Sequence, residues 1–352
     1  MEQGRALGQL AAVGLIDGQA ASRDFWIQET LATAAIEGQK LDLDAVRSSV
    51  CRRLGLAASD GPHDRDVEGL VEMMQDAITG HDRPLDEDRL CRWQSALFPG
   101  GTVGVRRIAV GRYRDHADPM QIVSGPPGRE VVHYAAPPSA EVAAEMQQLL
   151  AWLALTPNTP AAEGINGIAR AALAHLWFES IHPFEDGNGR LGRAVAEMAL
   201  AQDLGRDIRW FSLSAVLLER RADYYTALNQ AQRGGLDVTP WVRWFTQAFA
   251  AACVKAQAAI TQATRRAEFR LRAAHYGGND RQRKVLARLL EAGDGGFLGG
   301  LTADKYARLT AVSKATATRD LADLLQAGLL VVQGVGKATR YAVNVAGWNR
   351  GV

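Results

Sequence analysis

The stretch HPFEDGNGRLGR, His182 to Arg193, decides how the chain is read, because it holds a formal G-x-G-x-x-G at Gly187, Gly189 and Gly192. A dinucleotide-binding fold needs a strand running into those glycines and an acidic residue about 20 positions later for the ribose. The preceding NGIARAALAHLWFES, residues 166–180, is alanine-rich without a β-branched run and reads as helix. Asp186 directly abuts the first glycine and would repel a bare pyrophosphate. The dinucleotide reading fails on both counts.

A helix–loop–helix reading fits better. Gly187, Asn188 and Gly189 can turn successive N–H groups inward as an anion nest, with the positive end of the next helix facing the same point. Arg190 and Arg193 are three residues apart, share a helix face and can both reach that anion. Asp186 becomes intelligible as a ligand of Mg²⁺ that in turn bridges phosphate oxygens. His182 titrates in the range suited to accepting a proton from an attacking hydroxyl. Nest, metal carboxylate, base and two guanidiniums together describe nucleotidyl or phosphoryl transfer. A zinc reading of His175, Glu179 and His182 fails, since seven residues between histidines matches no usual helix-ligand spacing. His175 reads as packed or capping and Glu185 as solvated.

These twelve residues resemble the Fic motif H-P-F-x-[D/E]-G-N-G-R-x-x-R at every defined position. The resemblance extends over roughly residues 24–250, where the hairpin before PPSAEV looks like the Fic flap and YYTALNQAQRGGLDVTPWVRWF like the closing helices. It implies a protein adenylyltransferase that moves AMP from ATP to a Ser, Thr or Tyr hydroxyl of a target protein. Carried over by position, His182 would be the general base, Asp186 the Mg²⁺ ligand and Phe184 a buried anchor. Gly187, Asn188, Gly189 and Arg190 would hold the α- and β-phosphates and Arg193 the γ-phosphate. Tyr224 and Tyr225 would lie against adenine, with Gln232 where some relatives carry asparagine. Val132 or its neighbours would form the flap edge that aligns a target strand by backbone pairing. Gly187 and Arg190 favour AMP transfer over the phosphate-transferring Doc branch.

TAAIEG, Thr33 to Gly38, reads by itself as a helix end stopped by a glycine. It also resembles the Fic inhibitory motif [S/T]-x-x-x-E-[G/N]. That implies an inhibitory helix over about 23–38, with Glu37 competing for Arg193 where the γ-phosphate belongs.

The rest of the chain sets the frame. At 352 residues two or three units are expected. Three scattered cysteines, Cys51, Cys91 and Cys253, argue against a disulfide framework and for a reducing cytoplasm. The first residues lack the basic start and apolar run of a secretory leader, and no run approaches the roughly 18 apolar residues of a membrane helix. Apolar steps of three and four predict helices in RDVEGLVEMMQDAITG and in SAEVAAEMQQLLAWLA, the latter with Ser139 as N-cap; TPWVRWFTQAF starts another at Thr239 and Pro240. VGVRRIAVG and MQIVSGPPGREVVHYAAPP read as a hairpin around residues 125–128.

From Arg281 onward Lys and Arg outnumber Asp and Glu by six, although the whole chain carries only +1. RQRKVLARLLEAG, two helices joined near Val312 and a strand pair resemble a winged helix-turn-helix. Ser313 would cap a recognition helix bearing Lys314, Thr316, Thr318 and Arg319, with Lys337 and Arg340 on the wing. GVGKAT within the strand pair lacks the first glycine and the Ser/Thr of a phosphate loop and reads as a turn. The sequence thus predicts a mainly α chain. It comprises an N-terminal helical region (1–95), a Fic core with flap (96–275) and a winged helix (280–352). Its partners would be MgATP, a target protein that includes the chain itself, DNA through residues 281–345, or a second copy. The alternatives are AMP removal through Glu37, or a nucleotide-sensing DNA-binding regulator with vestigial catalysis.

Overall fold

The computed structural model describes residues 15–56, 61–124, 131–155, 165, 167–205, 210–294 and 296–348. It divides into two compact units, one of Gln19–Ala256 and the other built on Gln257–Val352. The boundary falls inside one long helix, α10 (Thr239–Tyr276), which ends at Gly277 with φ +66°.

In the first unit, four helices lead in: α1 (Leu15–Ile36), α2 (Leu43–Arg53), α3 (Arg65–Thr79) and α4 (Glu87–Leu97). Three of the starts are capped by aspartates, Asp42, Asp64 and Asp86, whose carboxylates accept first-turn N–H groups. The apolar stripe predicted in α3 is the one it buries: Val67, Leu70, Val71, Met74 and Ile78. The centre is the pair α6 (Gly167–Ile181) and α7 (Asn188–Leu204), which pack closely against each other. Alanines 171, 172 and 174 on one helix and 194, 196, 199 and 201 on the other are all buried, and small side chains let the two backbones approach. α7 is buried on nearly every face of its first four turns. A helix enclosed in this way can hold charged residues only if each is paired.

Around this pair lie α5 (Ser139–Leu155), α8 (Leu213–Glu219) and α9 (Arg221–Arg233). Ser139 is the first residue of α5 and its hydroxyl accepts from Arg114 Nη1 at 2.9 Å, a use that apolar spacing does not reveal. The strands correct the single-hairpin reading. β1 (Thr102–Val103) pairs with β2 (Arg106–Arg107), so the VGVRR segment closes its own small hairpin. β3 (Gln121–Ser124) pairs antiparallel with β4 (Val131–Ala135), with a register shift between Ile122 and Val123. The predicted tip at residues 125–128 lies outside the described residues.

The second unit continues from α10 into α11 (Asp280–Glu291), α12 (Ala303–Thr310) and α13 (Lys314–Gln326), then the antiparallel pair β5 (Leu330–Gln333) and β6 (Arg340–Val343). Its core gathers Val285, Leu286, Leu289, Leu290, Leu321, Leu324, Leu330 and Val343 around fully buried Tyr306. Ser313 caps α13 as expected, accepting from the Thr316 N–H at 3.2 Å. Buried Asp320 joins three elements: it accepts from Arg281 Nε (2.9 Å), Tyr306 OH (2.9 Å) and Asn279 Nδ2 (3.3 Å). Burial alone would raise this carboxyl, but the bonds from Arg281, Tyr306 and Asn279 outweigh it and hold it below the usual carboxylate range. Its contribution to stability is therefore complete above that usual range and is lost as pH falls through the lowered value. Asp320→Ala is expected to lower the unfolding free energy of this unit by about 1–3 kcal/mol at neutral pH. The gap should narrow in strong acid, and urea melts at pH 7 and pH 3 check both.

Candidate active site

The loop between α6 and α7 is held rigid by its own side chains. His182 ends α6 with φ +52°, a left-handed conformation rare outside glycine. Arg114, almost fully buried, sustains that strain: Nε donates to the His182 carbonyl at 2.8 Å, and Nη2 to the carbonyls of Pro137 (2.6 Å) and Ile181 (3.2 Å). It thereby satisfies carbonyls that the end of α6 leaves without helical partners. The Arg114 N–H also donates to the Pro183 carbonyl at 2.9 Å. Past the turn, Phe184 is wholly buried. Asn188 closes the loop, its Oδ1 accepting from the Phe184 N–H at 2.9 Å and its Nδ2 donating to the Phe184 carbonyl at 2.7 Å. The Asn188 side chain is thus occupied in the loop, and what it offers an anion is its backbone.

Gly187 caps α7 with φ +89°, and a β-carbon there would come within 2.9 Å of the Phe98 ring. The first turn of α7 lies close to Glu37, in the segment after α1. A β-carbon at Gly189 would come 2.2 Å from Glu37 Oε1, so the carboxylate rests on the glycine backbone. Arg193 Nη2 donates to Glu37 Oε1 at 2.8 Å and to the Thr33 carbonyl at 3.0 Å, while Nε donates to Thr33 Oγ1 at 2.7 Å. Burial by itself would raise the Glu37 carboxyl, but the Arg193 charge and hydrogen bond, then Arg190 and Arg221, hold it below its usual range. Arg190 lies 4.9 Å over the Phe98 ring and donates to Gln39 Oε1 at 3.2 Å.

Asp186 is partly exposed at the mouth. One oxygen accepts from the Gly187 N–H at 2.7 Å, and Arg190 (3.5 Å) and Arg106 of β2 (3.7 Å) stand further off. Burial pushes the His182 imidazole down to about 4, with the Arg114 charge acting the same way, so the ring is neutral at physiological pH. Tyr224 is not open to a ligand face. It is 1% exposed, its hydroxyl is 2.8 Å from His175 Nε2, and it packs among His175, Trp241 and Trp244. Tyr225 beside it is half-buried, with the Arg221 guanidinium 5.6 Å over its ring. Val132 is exposed on β4, and its carbonyl accepts from Arg233 Nη2 at 3.1 Å. Among the described residues, Arg193 Nη1, Arg190 Nε and His182 Nδ1 are buried polar atoms without a side-chain hydrogen-bond partner, and so, on α9, are both ends of the Gln232 amide.

Residues 84–200 match the Fic/DOC family, and residues 1–56 match a domain of unknown function (DUF4172). The chain carries a Fic domain. It is 25% identical over 232 residues to the protein adenylyltransferase Fic of Nematostella vectensis, covering 66% of this chain and 48% of that protein. Over 213 residues it is 31% identical to the protein adenylyltransferase fic-1 of Caenorhabditis elegans, covering 60% and 37%. The chain therefore spans less than half the length of these curated relatives. Among solved structures, a Fic family protein from Desulfovibrio desulfuricans G20 matches with a TM-score of 0.50 at 21% identity, covering 97% of this chain and 93% of the other. A Fic domain containing signaling protein from Bacteroides thetaiotaomicron matches at 0.53 and 19%, covering 76% and 97%. These likenesses establish the Fic fold.

The site brings together His182, Asp186, the glycines, both arginines and Glu37. Arg114, Thr33 and Gln39 also belong to it, and sequence reading gave the first and last of these no role. Arg114 lies 68 positions from the carbonyl it holds, in a segment whose pattern carries no signal for it. In the second unit, the groups expected at a DNA surface are partly engaged. Lys314 is 2.9 Å from Asp304, the Thr318 hydroxyl donates to the Lys314 carbonyl at 2.9 Å, and Arg340 Nε donates to the Gly299 carbonyl at 2.9 Å. Arg319 is exposed, and the Lys337 side chain lies outside the described residues. Asn188→Ala, which removes both loop-closing bonds, is expected to lower stability by about 1–3 kcal/mol in urea unfolding.

Proposed function

We propose that this chain transfers AMP from ATP to a hydroxyl side chain of a protein, and that Glu37 restrains the reaction from within. One observation carries the reading: a carboxylate sits on the first turn of α7, bonded to the buried Arg193, where an anionic ligand would bind. A helix N-terminus flanked by two guanidiniums is a polyanion site, and Glu37 fills part of it. The neutral His182 imidazole is suited to the base role. The target hydroxyl gives its proton to the ring, its oxygen bonds to the α-phosphorus, and the bond to the β-phosphate breaks, releasing pyrophosphate. Arg190, Arg193 and the α7 N–H groups would hold phosphates through that change. Tyr225 and the unpaired Gln232 amide would face the base. The exposed Val132 edge of β4 would receive the target strand by backbone pairing.

Asp186 suits Mg²⁺, which binds through one or two carboxylates together with substrate phosphates and would neutralise charge on the departing pyrophosphate. The other Asp186 oxygen is approached by Arg106 at 3.7 Å.

The charge-assisted bond from Arg193 to Glu37 contributes roughly 1.5–3 kcal/mol. A ligand needing that guanidinium must displace Glu37, and each 1.4 kcal/mol is about tenfold in population. Glu37→Gly is therefore expected to raise AMP transfer by roughly ten- to hundredfold, whereas His182→Ala abolishes it. Incubation with ATP labelled at the α- or the γ-phosphate checks this. Incorporation of the α label alone supports AMP transfer, and a Glu37→Gly protein no more active than the parent removes the restraint.

A further inference from the structure

One buried arginine takes no part in the reaction just described. Arg114, in the segment after β2, is 2% exposed, and its side-chain partners among the described residues are all neutral oxygens. Its planar fork joins two places in the chain. On one side, Nε donates to the His182 carbonyl (2.8 Å) and Nη2 to that of Ile181 (3.2 Å), where α6 ends. On the other, Nη2 donates to the Pro137 carbonyl (2.6 Å) and Nη1 to Ser139 Oγ (2.9 Å), where the run that leaves β4 enters α5. Burying a guanidinium among neutral acceptors is costly, so packing alone does not account for it. What a guanidinium supplies is several donors in one rigid plane. We infer that Arg114 is a positioning residue for His182: it ties the turn that carries the histidine to the base of the strand edge offered to the target.

His182 depends on this tie because of its backbone. Its φ of +52° is costly for a residue with a side chain, and Pro183, which follows directly, favours an extended neighbour instead. The turn is therefore held from outside. Arg114 holds it twice, through the fork at the His182 carbonyl and through its own N–H, which donates to the Pro183 carbonyl at 2.9 Å. In that turn the imidazole has the backbone carbonyl of Glu179 as its hydrogen-bond partner, so the ring is oriented by the end of its own helix. Movement of the His182 backbone would release it. The other end of the tie is equally local. The Ala136 N–H donates to the Met120 carbonyl at 2.9 Å, so the β3–β4 pairing runs up to Pro137. Val132, at the exposed edge, stands five positions before that proline. One side chain thus fixes both the base and the root of the edge along which a target hydroxyl would lie, and the separation of reacting groups is what such placement controls.

The inference rests on His182 acting as the base, but half of its test needs no turnover. Arg114→Lys keeps the charge and loses the fork. Arg170→Lys is the control: that arginine, fully buried near the start of α6, donates to the Leu153 carbonyl and to Gln202 Oε1, both at 2.8 Å. Acylation of the full chain by diethyl pyrocarbonate, read at each histidine by mass spectrometry, reports release of the ring, with exposed His63 as the reference. His182 should react several times faster in Arg114→Lys than in the parent or in Arg170→Lys. In a Glu37→Gly background, incorporation of the α label at saturating ATP should fall by about ten- to hundredfold in Arg114→Lys, with KM for ATP unchanged. Arg170→Lys, though destabilised in urea, should keep its rate. An unchanged His182 acylation rate in Arg114→Lys, or equal losses of incorporation in the two variants, overturns the inference. If Arg114→Lys does not fold, Ser139→Ala, which removes only the Nη1 contact, decides it in the same assays. Faster acylation and a loss of about two- to tenfold then support the tie, and parental behaviour in both overturns it. Absence of label incorporation by the Glu37→Gly protein counts against the proposed function alone, because acylation is read without ATP.

Discussion

A guanidinium enclosed in a protein core needs acceptors for its charge; Arg114 finds carbonyls, whereas Arg193 finds a carboxylate, and the arrangement around Arg193 follows from that pairing. The side chain is 4% exposed, and burial works against its charge; Glu37, first among its neighbours, restores it. Two anions can meet the need. One is a carboxylate supplied by the chain itself, and the other, under the proposed function, would be a phosphate at the N-terminal end of α7. Because Arg193 Nη2 already bonds both Glu37 and the Thr33 carbonyl, the segment after α1 is tied to the ligand site by the same group that would recognise a ligand. Under the proposed function, inhibition and binding would be alternative states of one charge pair, and a long-range transmission path would be unnecessary.

The docking of α1 has a second anchor. Glu29, two turns before Glu37, is buried and accepts from Ser212 Oγ at 2.7 Å and the Ser214 N–H at 3.0 Å, at the start of α8. Trp26 and Phe25 are buried on the same helix. With the helix held by these contacts, release of Glu37 from Arg193 under the proposed function would need only the residues after Ile36 to move. Gly38, at φ +78°, is a point where the chain can change direction at low cost.

Much of this was legible because local chemistry and tertiary role coincide. The loop residues His182, Asp186, Gly187, Arg190 and Arg193 lie within twelve positions, and helix periodicity alone places both arginines on one face. Glu37 was found from a six-residue pattern, since its partner is part of an equally local motif. What escaped depends on contacts across distance. Arg114 meets carbonyls that any sequence supplies. Tyr224 looks like one of a matched pair with Tyr225, yet helical rotation turns one ring into the core against His175 and leaves the other half-buried. The β1–β2 pairing was missed because Gly104, at φ +57°, allows a tight turn inside what reads as a single strand.

The spacing that first suggests a dinucleotide fold also acquires a different physical content. Each of its three glycines is required for a separate reason. Gly187 needs a left-handed backbone to start α7, and a side chain there would meet Phe98. Gly189 leaves bare backbone on which a carboxylate rests. Gly192, one turn on and facing the other helix, opens the space that Glu179 and His175 fill behind His182. In a dinucleotide fold all three would serve one pyrophosphate and its helix. Here the first shapes the loop, the second admits the anion and the third makes room for a buried acid. A β-carbon at each would therefore disturb a different property: the turn, occupancy of the anion site, or the surroundings of His182. A motif of identical residues can thus serve three independent constraints, and only the neighbours reveal which one each glycine meets.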